Sequence, residues 1–487
     1  MNRRSFVKFG AAAAAGFSLL PSNIFSAVRR NAWQEDLPFK ISLAEWSLHR
    51  ALQGGKINNL DFPRIARKEF DIDAIEFVDQ FFADKAKDQG YLRDLKGRAD
   101  GEGVVCHLIM IDTNGPLGAT DKAKREAAVA KTREWIDAAK FLECKMVRVN
   151  AYGEGDGKDN PDELRDRVAE SCSTLADYAA QAGLDVVIEN HGGLSSNAAW
   201  LASVMKAVNK PNFGTLPDFG NFDENQNRYD SVEALMPSAK AVSAKAQKFT
   251  GYGLVSDTDF FRMMRIVRDA GYKGWVGIES APDRAEDEYE AIRRTRNVLN
   301  WVREEQAKFK PLFNGKDLDG WTFIEGGEWT VEDGVLVGRN GVNWSTNPEK
   351  TGSWLSTKKQ YENFRLEFQF MINERGNSGV FIRSKHEKNP AFTGYEMQIH
   401  DSHGRPPSKG GAGSLYDVVA PEKNVIRPAG MWNFATITAI GDKIRVEMNG
   451  EKIIDTEQKR SRKGYIGLQN HDDKSVVRFK NIRIEEV

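Results

Sequence analysis

From about Pro38 to about Gln306, short β-branched runs alternate with stretches of helical period. The runs KISLAEW, AIEFV, VVCHLIMI, MVRVN, DVVIENH, FGTLPDFG, AVSAKAQKF and WVGIES centre near residues 43, 76, 107, 148, 188, 216, 245 and 277. Spacings of 28 to 41 residues hold one strand and one helix each. Eight such units predict a closed parallel (β/α)8 TIM barrel over 38–306. The helix after MVRVN is legible in detail. Asn160 is placed to cap it, Pro161 takes its first position, and Gly183 ends it. Leu164, Val168, Cys172, Leu175 and Ala179 form its apolar stripe.

At Pro311 the period changes from 3.6 to 2. The segments FRLEFQFMI, SGVFIRS, YEMQIHD, ATITAIGDKIRVEMNG, EKIIDT, GYIGLQNH and VRFKNIRIEEV alternate apolar and polar positions, with turn residues such as Asn449-Gly450 between them. Helical periodicity is nearly absent. The pattern predicts an antiparallel β-sandwich, of lectin-like or jelly-roll type, over 311–487.

Composition narrows the function. A formal net charge of -1 and the lack of a basic block argue against nucleic acid as a partner. The three cysteines, Cys106, Cys144 and Cys172, form no CxxC and sit in apolar segments, so they read as buried free thiols. The N-terminal MNRRSFVKFGAAAAAGFSLL has paired arginines, no acidic residue and a short apolar run. It resembles a twin-arginine signal, which would occupy residues 1–30. That resemblance implies a periplasmic or surface-associated protein with no membrane span once mature.

Candidate chemistry collects at the carboxyl ends of the barrel strands, where catalytic groups of such barrels sit. In VVIENHGG, an apolar run meets Glu189, Asn190 and His191 directly. Burying them is costly unless each is hydrogen-bonded or bound to something. Other strands deliver Glu45, Glu76, His107, Asp112, Arg148, Asn150, Asp218, Lys245, Gln247 and Glu279. Any one of these reads as an ordinary interior residue with a paired charge. Carboxylates from five strands at one rim need cations, and a divalent metal supplies them compactly.

IENHGG, PDFGNF and VGIES resemble the metal-binding motifs of the xylose-isomerase-like sugar isomerase/epimerase superfamily. The resemblance implies Glu189, Asp218 and Glu279 as metal ligands. Strand seven of that family adds a histidine. Here it offers Ser243, Lys245 and Gln247 instead, and Gln247 is the expected fourth ligand. An all-oxygen set favours Mn²⁺ or Mg²⁺ over Zn²⁺. Glu189, Glu279 or Lys245 would move the proton, while His107, Arg148, Asn150 and His191 would hold substrate. The related three-zinc DNA-repair endonucleases need more histidines than the three in this half, together with a basic groove.

The second half resembles the 3-keto-disaccharide hydrolase domain, a concanavalin-like sandwich. The resemblance rests on LFNGKDLDGW, GNSGVFIRS, YEMQIHD, GSLYDVVAP, PAGMWNFATI, MNGEKI and GYIGLQNHDDKSVVRFKNIRI, in that order. Alternation places Glu396, Gln398 and His400 on one face of their strand. With Arg383, Gln469 and His471 they make a polar sugar-facing sheet, with Tyr416 or Trp432 for stacking. Glu396 and Asp401 are the acid/base candidates.

The two halves together imply an enzyme that cleaves or hydrates 3-keto-glycosides or 3-keto-disaccharides. Metal-assisted proton abstraction with β-elimination or hydrolysis is the expected chemistry. The alternatives are a metal-dependent keto-sugar isomerase or epimerase, and a non-catalytic carbohydrate-binding protein.

Overall fold

The computed structural model describes residues 38–153, 159–251, 253–343, 352–387 and 389–487. The expected signal segment, residues 1–30, lies outside the described residues. Among these, no helix is long and apolar enough to cross a membrane.

Each apolar run of the first half is a strand. β1 is Lys40–Ala44, β2 Ala74–Val78, β3 Val105–Met110, β4 Met146–Val149, β5 Asp185–Glu189, β6 Phe213–Leu216, β7 Val242–Ala246 and β8 Trp275–Ser280. They pair in parallel in the order β6-β5-β4-β3-β2-β1-β8-β7. Parallel bridges Thr215↔Ala239 and Asp218↔Ser243 close the barrel between β6 and β7. The same closure brings two polar side chains of the site together.

Helices return the chain from one strand to the next. In Pro161–Ala182, the Asn160 side chain accepts from the N–H groups of Asp162 and Glu163, satisfying donors that a helix start leaves open. Gly183 then takes φ 71, a left-handed conformation that costs other residues a Cβ clash. Leu164, Val168, Cys172, Leu175 and Ala179 are all buried against the barrel, as the stripe requires. The three cysteines are free and buried.

The second half forms two packed sheets. One has the order β10-β13-β20-β15-β16, where β10 is Trp321–Ile324, β13 Trp354–Tyr361, β20 Gly464–Gln469, β15 Asn377–Ser384 and β16 Tyr395–His400. The larger sheet runs β11-β12-β21-β14-β17-β18-β19, from Glu328–Glu332 and Val335–Arg339 through Val477–Glu486, Phe364–Ile372, Asn433–Ile440 and Lys443–Met448 to Glu451–Glu457. The short strand β9, Lys310–Pro311, pairs with β21. Tyr395, Met397 and Ile399 of β16 enter the shared core with Leu366, Phe368 and Phe479. Glu396 and Gln398 therefore face away from it.

Ion pairs join the larger sheet to the barrel helices. Arg483 Nη1 lies 2.5 Å from Asp269 Oδ1, and Arg268 Nη2 lies 2.7 Å from Glu367 Oε2. Arg427 reaches Asp230 at 2.7 Å and Glu233 at 3.1 Å, and Arg265 lies over the Phe434 ring at 3.9 Å. This docking uses the outer face of the larger sheet, so the outer face of the five-stranded sheet is left for a groove.

Candidate functional site

The barrel mouth is built where strands end. Glu189, Asp218 and Glu279 each offer a carboxylate oxygen, all within 4.8 Å of one another, and all three residues are buried. Asn190 explains part of the polar cluster after β5. Its Oδ1 accepts from the Asp218 N–H at 2.8 Å and its Nδ2 donates to the Asp218 carbonyl at 3.0 Å. It thereby ties the end of β5 to that of β6. Asp218 Oδ1 accepts from the N–H groups of Gly220 and Asn221 at 2.8 and 2.9 Å, which aims its carboxylate inward.

Two cations stand among the acids. Lys245 Nζ is 2.7 Å from Glu279 Oε1, and Arg148 Nε is 2.9 Å from Glu189 Oε2. Arg148 Nη1 also donates to Asp112, which accepts from Asn150 Nδ2 at 2.8 Å. Ser243 Oγ donates to Asp218 Oδ2 at 2.6 Å, and Asn221 Nδ2 donates to Glu189 Oε1 at 3.0 Å.

Burial pushes Glu189 and Asp218 each up to about 7. Burial also opposes ionisation of Glu279, but the Lys245 ammonium outweighs it and holds that carboxyl below its usual value. Arg148 does the same for Asp112. Glu76, one layer down and hydrogen-bonded by Ser42 Oγ at 2.6 Å, is pushed up to about 8 by burial.

With Asp112, Glu189, Asp218 and Glu279 ionised, four negative charges face the two positive charges of Arg148 and Lys245. Glu189 Oε2 is buried and has the Arg148 guanidinium as its ion-pair partner. An excess of two charges and three hard oxygen donors within 4.8 Å of one another fit a divalent cation held by Glu189, Asp218 and Glu279.

A cleft of about 260 Å³ opens above these groups, lined by Trp46, Asp112, Arg148, Asn150, Tyr152, His191 and Glu279. Tyr152, which the sequence reading did not single out, orders His191. The Tyr152 hydroxyl donates to the His191 carbonyl at 2.8 Å and sits 2.6 Å from His191 Nδ1. Nδ1 therefore carries the ring proton and donates it to Tyr152 Oη, leaving Nε2 as a lone-pair acceptor. Burial, with Arg148 adding to it, lowers the His191 pKa.

Three expectations for the barrel need correction. Gln247 lies one residue beyond the end of β7 and is exposed, so it stands outside the carboxylate cluster. Strand seven contributes Ser243 and Lys245 instead. Lys245, expected as a base, is held here as a cation paired with Glu279 at 2.7 Å. Burial disfavours its charge, yet Glu279, Asp218 and Glu189 outweigh that and raise its pKa. His107 packs beside Trp275, the first residue of β8, at the amino end of the barrel, with ring centroids 5.8 Å apart. It is buried, pushed down to about 4 by that burial, and is too far down the barrel to meet a sugar in the mouth.

On the sandwich, a groove of about 280 Å³ is lined by Asn377, Phe392, Glu396, Gln398, Tyr416, Gln469 and His471, among others. Glu396 is only 3% exposed, and burial pushes its carboxyl up to about 8. Gln469 Oε1 is buried with no hydrogen-bond partner. Phe392, 44% exposed, supplies an aromatic rim with Tyr416. Trp432 does not belong here: it lies under Lys480 Nζ at 4.3 Å, at the contact with the barrel.

Behind the groove residue His471 stands Asp472, which the sequence pattern does not mark. Asp472 Oδ2 lies 2.7 Å from His471 Nδ1, while its Oδ1 accepts from the N–H groups of Lys474 and Ser475 at 2.9 and 2.8 Å. Three other candidates fall outside the groove. Arg383 is fully buried and donates to the Glu362 carbonyl at 2.8 Å and the Gly441 carbonyl at 2.7 Å, closing loops. Asp401 accepts from the Arg375 N–H at 2.8 Å, which fixes the turn before β15. His400 ends β16 outside the groove lining.

Gly379 makes room for Glu396, since a Cβ at that position would meet Glu396 Oε1 at 2.0 Å. Gly379→Ala is expected to displace the carboxyl and lower turnover by about 10²-fold. Packing a methyl group into that buried space should also lower the denaturant midpoint of the sandwich, at the usual overpacking cost of about 1–3 kcal/mol. Steady-state kinetics beside a denaturation curve checks both.

Residues 66–304 match a family model described as a xylose isomerase-like TIM barrel, and residues 308–485 one described as a 3-keto-alpha-glucoside-1,2-lyase-like domain. A 3-keto-disaccharide hydrolase of Bacteroides thetaiotaomicron is 25% identical over 225 residues, covering 36% of this chain and 77% of that protein. A crystal structure of a candidate glycosyl hydrolase from Parabacteroides distasonis ATCC 8503 is 28% identical, covering 38% of this chain and 96% of that one, with a TM-score of 0.33. The apo 3-keto-D-glucoside 4-epimerase of E. coli is 17% identical, covering 55% of this chain and 100% of that one, with a TM-score of 0.43.

Proposed function

From a xylose-isomerase-like TIM barrel joined to a 3-keto-disaccharide hydrolase domain, we propose an exported, periplasmic enzyme that cleaves 3-keto-glycosides by β-elimination and hydrates the product. A ketone at C3 of a glycoside acidifies the hydrogen on C2. Once that proton leaves, the enolate expels the C1 aglycone, with no oxocarbenium ion required.

The observation that carries this reading is Glu396, a carboxyl buried in the wall of an amide-lined groove, where burial pushes its pKa up to about 8. A neutral carboxylic acid is a strong donor to a ketone oxygen and a stronger one to the enolate that replaces it. Gln398 and Gln469 match sugar hydroxyls, and the Phe392 and Tyr416 rings suit the apolar face of a pyranose.

In the barrel, Glu189, Asp218 and Glu279 would hold a divalent cation, Mn²⁺ or Mg²⁺ in preference to Zn²⁺. Such a cation, when bound, stabilises negative charge on adjacent sugar oxygens. Arg148 and Asn150 position substrate oxygens through Asp112, and His191 Nε2 accepts a hydroxyl or a proton. Keto-sugar isomerisation or epimerisation in the barrel is the second reading, favoured by three converging carboxylates, one of which, Glu279, lines the cleft with His191.

The test uses the purified chain, a 3-keto-glucoside, and metal analysis. Wild type is expected to carry a divalent ion and to release aglycone, and Glu189→Gln to lose the ion. If Glu189→Gln also stops aglycone release, the barrel performs the elimination. If release continues without metal, the sandwich performs it. A wild-type protein that leaves the 3-keto-glucoside unchanged overturns the reading.

A further inference from the structure

The sandwich groove holds a base as well as an acid. His471 follows the end of β20 by two residues and lines the groove with Glu396. Its Nδ1 faces Asp472 Oδ2 at 2.7 Å. The other oxygen of that carboxylate is fixed by two backbone N–H groups, from Lys474 and Ser475. Asp472 is thus clamped by its own turn and cannot swing away from the imidazole. A carboxylate held this way keeps the proton on Nδ1 and leaves the Nε2 lone pair free to accept another. Among the described residues, Nε2 has no hydrogen-bond partner.

We propose that His471 Nε2 is the base that removes the proton beside the substrate ketone, with Asp472 as its positioning residue and Glu396 as the acid on the ketone oxygen. This rests on the β-elimination reading above. The C2–H bond breaks and its proton passes to His471 Nε2. The electron pair moves into a C2–C3 enolate whose oxygen is hydrogen-bonded by the Glu396 carboxyl. The enolate then re-forms the C3 ketone as a C1–C2 double bond forms and the C1–O bond breaks. The departing aglycone oxygen takes the proton from the His471 imidazolium. No oxidant or reductant is needed.

The groove suits this division of labour, because the acid and the base stand in different environments. Glu396 is buried among neutral groups and stays protonated, whereas His471 is partly open to solvent and paired with a carboxylate. Groups whose surroundings differ in this way are how one site runs acid and base chemistry together.

The experiment follows exchange of the C2 hydrogen of a methyl 3-keto-α-glucoside in D₂O by NMR, alongside methanol release, with the full chain. Wild type is expected to exchange and release. His471→Ala is expected to lose both by about 10²–10⁴-fold and to regain part of the rate with added imidazole. Asp472→Asn is expected to lower kcat while KM stays near wild type. His471→Ala exchanging at the wild-type rate overturns the assignment. So does a loss that imidazole does not restore while Asp472→Asn keeps full kcat, since that pattern marks a structural residue. A wild type that neither exchanges nor releases brings down the β-elimination reading itself, and this assignment with it.

Discussion

Glu396→Gln is expected to lower turnover of a 3-keto-glucoside by about 10²–10⁴-fold with almost no change in stability. Both halves of that expectation follow from burial. Glu396 is 3% exposed, no charged partner offsets its desolvation, and its pKa rises to about 8. At pH 7 it is mostly the neutral acid. Glutamine has nearly the same shape and is also uncharged, so the fold gives up no ion pair. The O–H that could protonate or hydrogen-bond an enolate oxygen is lost, and the amide N–H that replaces it is a far weaker acid.

A pH profile sharpens the test. A step that needs the protonated form of a raised acid proceeds below its folded pKa and fades as pH rises through it. Wild-type turnover should therefore fall through about 8. Glu396→Gln should lack that limb in whatever activity remains. Equal turnover in wild type and variant across the range would remove Glu396 from the mechanism.

Arg148→Met is expected to destabilise the barrel by about 3–5 kcal/mol, the usual cost of removing one partner from a buried ion pair. Arg148 is 3% exposed and bridges Asp112 and Glu189, both of which it leaves unpaired in a medium that solvates them poorly. Such a loss is a large part of a typical domain stability. The sign with pH is set by Asp112, whose folded pKa Arg148 holds below the usual value against burial. A depressed carboxyl contributes stability above its unfolded pKa and loses it as pH falls through the folded one. Without Arg148 the buried acids take up protons readily. The gap between wild type and variant should therefore be widest near pH 7 and narrow toward pH 4. Urea midpoints of the barrel transition at both pH values test this. An unchanged midpoint at pH 7 would mean that solvent or another cation reaches the acids.

Much of this protein can be read without coordinates, because its two periods are set by local geometry. Eight strand–helix units place the carboxyl end of every strand on one rim, so Glu189, Asp218 and Glu279 had to approach each other. Alternation along YEMQIHD put Tyr395, Met397 and Ile399 into the core and turned Glu396 and Gln398 outward. Asn160, Pro161 and Gly183 delimit their helix through contacts made within a few residues.

What depends on where a strand stops, or on groups far apart in the chain, is not in those periods. Gln247 has the same parity as Ser243 and Lys245, but β7 ends at Ala246 and alternation ends with it. His107 sits at a register shift between β2 and β3, below the level its place in the run suggests. Arg383 has an outward position that the Glu362 and Gly441 carbonyls cover. Arg148 meets Glu189 across 41 positions, and Lys245 meets Glu279 across 34, so the charge state of the site appears only when β4, β5, β7 and β8 are side by side. The sequence by itself determined the two architectures and which acids reach the rim, since both follow from strand direction and side-chain period. The tertiary structure alone decided which of those acids keep their protons, because that depends on burial and on cations brought from distant strands.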